Sequence, residues 1–143
     1  MHMKNIIVVA LTLCLGPLFA EDKVDACTPA TAAGHYTVTC TGWTSVGGAL
    51  TPIHQVGLVT GDSAGTFSGF TSINIGGQVI ISKAPVVGKA TINPDCTGDI
   101  TYNKGTPGEL NITFVINPLT KETSGVIIDK GSVVSCTLKS MTK

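Results

Sequence analysis

The two histidines beyond the first twenty residues, His35 and His54, are the first candidates for chemistry in this chain. Imidazole titrates near neutral pH, so such a pair could pass a proton or hold a metal. No carboxylate motif accompanies them, and strand-surface or rim positions account for both; His54 is kept as a ligand-binding candidate. Asp62, Asp95, Asp99 and Asp129 could offer carboxylates to Ca²⁺, but their places beside glycine and threonine make them turn-formers first. "GTFSGF" lacks the leading glycine that a nucleophilic serine elbow requires. Gly76-Gly77 reads as a hairpin, because a phosphate loop needs a strand-to-helix context that is missing. Asn111-Ile112-Thr113 is a glycosylation sequon lying mid-strand. These residues assign no catalytic group, no metal site and no cofactor.

The aromatic residues point elsewhere. A small barrel either fills its interior or keeps room for one small ligand. With many Thr, Ser, Gly and Val and few large side chains, this interior could stay partly open. Trp43 would then guard a mouth, with Tyr36 and Tyr102 as polar handles inside. The competing expectation is that these aromatics are simply the core.

The elements that would carry these residues are strands. "HYTVTCTG" alternates strictly, with Tyr36, Val38 and Cys40 on one face and His35, Thr37, Thr39 and Thr41 on the other. Similar β-branched or aromatic segments follow at 53–60, 65–75, 78–82, 88–94, 98–103, 110–117, 123–129 and 132–140, nine in all, each bounded by turn residues. No long run has the helical period, and only "TPATAA" after Cys27 suits a short helical turn. Turns beginning at Asp62, Asp95 and Asp129 recur at near-equal intervals, each followed by alternating strand. One interval holds two strands and two turns, so the repeat is a hairpin in a meander. The expected fold is all-β: an antiparallel up-and-down barrel of about eight strands, with a β-sandwich as the alternative. Closure also removes the edges that a chain so poor in charge could not protect.

Composition narrows the partners. All nine basic residues are lysines, balanced by nine acidic ones. No basic patch suggests nucleic acid, and no guanidinium fork is present to clamp phosphate or carboxylate. Residues 1–20 read as a secretory signal peptide: Lys4, then the apolar "IIVVALTLCLGPLF", then cleavage near Ala20. The apolar run is short for a membrane span, so no stable membrane insertion is expected. Residues 21–34 form a lead segment and 35–140 the barrel. A secreted or periplasmic location follows.

Export makes the four remaining cysteines, Cys27, Cys40, Cys96 and Cys136, two disulfides with three possible pairings. In an even-stranded barrel the first and last strands are neighbours, which pairs Cys40 with Cys136 across the seam. Cys27 is left to tether the lead segment to the "DCTG" hairpin tip at Cys96.

"CTPATAAGHYTV" followed by "GKATINPDCTGDITY" resembles a family of small exported bacterial and fungal proteins. Their pattern is a cysteine, a Gly-x-Tyr and a later Asn-x-Asp-Cys-Thr-Gly. The resemblance implies a barrel similar to allene oxide cyclase, lipocalin-like or dirigent-like, and a Cys27–Cys96 bond. Cys40 and Cys136 are additions to the pattern. It implies no catalytic residue for this chain. Function is then expected to be binding of a small apolar ligand in the lumen. The alternatives are a non-catalytic exported interaction or structural protein working through its outer surface, and an isomerase or cyclase acting in the cavity.

Overall fold

Strict alternation of small apolar and polar residues gives each strand one face to bury and one to show to water, and a sheet can bury that face by rolling up on itself. The computed structural model describes residues 25–141; the expected signal peptide and its cleavage point lie outside them. A 3₁₀ turn at Pro29–Ala32 leads into β1 (Gly34–Val46), β2 (Ala49–Gly61), β3 (Thr66–Ile75), β4 (Gln78–Ile92), β5 (Thr97–Tyr102), β6 (Leu110–Ile116), β7 (Thr123–Ile127) and β8 (Ser132–Ser140). All pairings are antiparallel and sequential, and β1 returns to β8, closing the barrel. The sandwich alternative is thereby excluded.

The nine expected segments become eight strands because 78–82 and 88–94 are parts of one, β4. "KAPVV" between them breaks the alternation, which reads as a gap. The chain instead passes through an irregularity: the β3–β4 register shifts around Ile73, and Lys83 takes φ +51°. The Lys83 amide is satisfied by the Ser72 hydroxyl at 3.0 Å. Pro85 is tolerated because β5 joins β4 only from Gly88 onward, so its missing donor faces no ladder there.

Two kinds of turn divide the barrel into two ends. Gly47-Gly48 and Gly76-Gly77 form two-residue hairpin turns, all four at positive φ, the geometry that matches strand twist. With the β5–β6 and β7–β8 loops they rim one end. The opposite end carries the Asp62 and Asp95 turns; the third expected repeat, at Asp129, instead lies in the β7–β8 loop of the first end, because three strands and not two separate it from Asp95. Asp62 Oδ1 accepts the amides of Ala64 (2.9 Å) and Thr66 (2.8 Å), and Asp95 Oδ1 accepts the Thr97 amide (3.0 Å) and hydroxyl (2.6 Å). The lead segment folds over this second end and closes it. Cys27 is bonded to Cys96, the Cys27 amide donates to Pro94 O (3.1 Å), and Lys121 Nζ donates to Ala33 O (3.1 Å).

Cys40 and Cys136 face one another directly in the β1–β8 register, and both are buried. Their bond crosses the seam between the first and last strands. Both disulfides are those that the even-stranded barrel demands.

Candidate functional site

The barrel is not filled. Its inward side chains enclose a cavity of about 380 Å³, within the size range of small-ligand sites. The walls are mostly apolar: Val38, Ile53, Val59, Ile100, Ile112 and Phe114 are representative, all buried. The space survives because the large rings are few and lie flat. Phe67 sits in register with Gly61, Tyr102 with Gly88, and Phe114 with Gly98 and Gly125. Each ring covers backbone that bears no side chain, instead of projecting across the lumen.

The floor is the closed end. Ala32 from the lead segment is buried there, the Tyr36 hydroxyl donates to Ala32 O at 3.1 Å, and the Tyr36 and Phe67 rings meet at 6.2 Å between centroids. Toward the other end the cavity reaches Pro107, Gly108 and Glu109 of the exposed β5–β6 loop. That loop is held by Glu109 Oε2, which accepts the Gly105 amide at 2.7 Å.

Polar groups in the cavity are sparse. Gln55 and Thr71, both buried, form a pair: Gln55 Nε2 donates to Thr71 Oγ1 at 2.9 Å, and Thr71 Oγ1 donates to Val56 O at 3.3 Å. The Gln55 carbonyl oxygen makes no hydrogen bond among the described residues. Tyr102, 9% exposed, lines the cavity and makes none through its hydroxyl. Neither group is sealed in protein, since no fully buried side-chain polar atom lacks a partner among the described residues. Burial raises the Tyr102 pKa well above the ordinary phenol value, so the hydroxyl stays protonated and available as a donor. Thr123 lines the cavity near the floor. Among the described residues, Glu109 is the only charged side chain on the cavity surface, and no three metal-ligating side chains come together.

Of the four residues singled out in the sequence as ligand contacts, the lumen receives one in a free state. Tyr102 faces the cavity. Tyr36 points inward but belongs to the floor, with its hydroxyl committed to Ala32. Trp43 and His54 point outward: Trp43 is 51% exposed and lies between Pro52 and Val133 in the sheet register, and His54 is exposed opposite Thr41. The reason is parity. Cys40 faces in, so Trp43, three residues on, faces out; Ile53 faces in, so His54 faces out. The same parity carried an unused signal, since Gln55 shares its face with Ile53 and Val59, and Thr71 shares its face with Phe67 and Ile73.

The outer wall has its own apolar row. Leu58, Phe70 and Pro85 stand directly beside one another on β2, β3 and β4, flanked by Val56 and Val87, and all five are exposed.

Geometry thus defines an eight-stranded antiparallel barrel with one end plugged and an apolar cavity reaching the other. Compared with known proteins, the chain matches no protein-family model, no curated protein and no solved structure.

Proposed function

We propose that this protein is an exported carrier or binder of a small apolar molecule, held in the barrel lumen. The observation that carries the reading is the cavity of about 380 Å³, apolar over most of its wall, with a few fixed polar groups. That combination is typical of ligand sites. Export is supported by the apolar leader at 1–20 and by two disulfides, which persist in oxidising compartments. The resemblance of "NPDCTG" and its surroundings to the allene oxide cyclase-like exported proteins agrees with a barrel of this shape.

Titration of the mature protein with Nile red, a neutral polarity-sensitive dye, tests the reading. Saturable one-to-one binding is expected, with little change in Trp43 emission because the indole lies on the outer wall. Failure of a well-folded sample to bind would sink it. The Leu58–Phe70–Pro85 row favours a second reading, a non-catalytic protein acting through its outer face; that reading predicts self-association or partner capture that is lost in Phe70→Ser. A cyclase or isomerase working in the same cavity would have Tyr102 as its first available hydrogen-bond donor.

A further inference from the structure

We infer that the lumen selects an uncharged lipophile bearing one oxygen function, with that oxygen accepting a hydrogen bond from Tyr102. The inference rests on the lumen-binding reading and adds the class of ligand.

Charge is the first discriminator. No lysine or histidine lines the cavity among the described residues, and the chain has no arginine. A carboxylate or phosphate carried inside would shed its water with no cation to meet it, which is severely unfavourable. At the mouth it would meet Glu109, a like charge. A cationic head gains little there, because Glu109 is exposed and its oxygens already accept from the Gly105 amide (2.7 Å) and the Asn111 side-chain amide (3.5 Å). A neutral molecule avoids both costs.

The polar groups supply the second discriminator. Tyr102 is the last residue of β5, on the side of the barrel nearer the β5–β6 loop. Its hydroxyl has no protein partner among the described residues, and its ring is fixed against Gly88. It is therefore a donor waiting for an acceptor. Gln55 is held through Thr71, which leaves its carbonyl oxygen and second N–H toward the lumen. Beyond these groups the walls run apolar through Val59, Ile100 and Phe114 toward the plugged floor. A ligand would enter tail first and stop with its oxygen level with Tyr102. A pure hydrocarbon would leave that donor unsatisfied in a dry site, which costs affinity.

The test is displacement of Nile red by a matched set: methyl decanoate, decane, decanoate at neutral pH, and decylammonium. The ester is expected to compete at least tenfold better than the carboxylate or the ammonium, and better than decane. Tyr102→Phe keeps the ring over Gly88 and removes only the hydroxyl. It should weaken the ester about tenfold, as loss of one buried hydrogen bond implies, and tighten decane, which then strands no donor. Decanoate or decylammonium competing as well as the ester would overturn the inference while leaving the carrier reading intact. An ester affinity equal in Tyr102→Phe and the parent would also overturn it. The parent-protein series stands without the variant if Tyr102→Phe does not fold. Absence of Nile red binding by folded parent protein would overturn both readings together.

Discussion

Tyr102 lies against bare backbone at Gly88: a Cβ placed there would come within 2.7 Å of Tyr102 Cδ1. The cavity depends on this pairing, because the ring has nowhere to go but inward once the glycine gains a side chain. The same relation holds between Phe114 and Gly98, where the nearest ring atom would be 2.7 Å away, and between Phe67 and Gly61, at 2.8 Å. Three large rings are thus laid on the wall by three glycines with which they stand in register.

Gly88→Ala should therefore act on binding before it acts on fold. The displaced ring occupies part of the lumen and removes the donor from its place. Overpacking of this kind costs about 1–3 kcal/mol, which is tolerable in a disulfide-bonded barrel. Expected outcomes are a lower denaturation midpoint, intact β-sheet circular dichroism, and at least a tenfold loss of Nile red affinity. Unchanged affinity would show that the ring does not set the cavity.

The tether at Cys27–Cys96 spans 69 residues and the seam bond Cys40–Cys136 spans 96. Chain entropy gives each about 4 kcal/mol of stabilisation. Their removal should differ in kind. Cys40→Ser/Cys136→Ser leaves the β1–β8 ladder in place and should lower stability with little local opening. Cys27→Ser/Cys96→Ser frees the lead segment that plugs the floor. Hydrogen exchange should then rise at residues 27–33, and at the Tyr36 end of the cavity, in the second variant but not the first. Equal protection in both would mean that the Cys27 amide and Lys121 contacts hold the plug unaided.

Much of this was legible in the sequence, for a physical reason. Period-two alternation in "HYTVTCTG" fixes which side chains of β1 face inward, and strand count with closure brings Cys40 beside Cys136. The single break, at "KAPVV", failed because an irregular β3–β4 register centred on Ile73 looks locally like a loop; its rescue by the Ser72 hydroxyl is a contact between residues eleven apart. Site residues were harder. Trp43 and His54 drew attention as residue types, although parity with Cys40 and Ile53 turns both to solvent. Gln55 and Thr71 carried the right parity and went unremarked, since a lone glutamine or threonine in a strand announces nothing until the strand is known to line a void. The role of Gly88 was invisible, because which ring covers which glycine depends on register across strands.

Acid should weaken the plugged end first. Hydrogen bonds from the Thr66 amide, and from Ala64, hold the Asp62 pKa below the ordinary aspartate value, and the Thr97 hydroxyl and amide do the same for Asp95. A carboxyl whose folded pKa is depressed contributes stability that is fully present above its unfolded value, about 3.9, and is lost as pH falls through the lower folded value. Stability should therefore be flat from neutrality down to about pH 5 and should decline below about pH 4. Asp62→Asn and Asp95→Asn should each lower stability at neutral pH and shallow the acid decline. Denaturant midpoints measured across this range would show it; an acid decline as steep in the double variant as in the parent would place the titrating groups elsewhere.

Gln55 separates fold from selectivity. Its amide donates to Thr71, but Thr71 keeps Val56 O as an acceptor partner when the glutamine is gone. Gln55→Leu therefore strands no buried donor, and it exchanges a polar side chain on an apolar wall for an apolar one of similar reach. Removing a hydrogen bond without leaving an unsatisfied group is close to neutral for stability, so the unfolding midpoint should move by less than about 1 kcal/mol. Binding should respond more. A wall without Gln55 is drier, so decane should bind more tightly than to the parent, and the preference for methyl decanoate over decane should narrow. A Gln55→Leu protein that keeps the parent's full preference would assign discrimination to Tyr102 alone. One that unfolds early would show that the Gln55–Thr71 pair holds β2 to β3 beyond its own hydrogen bond.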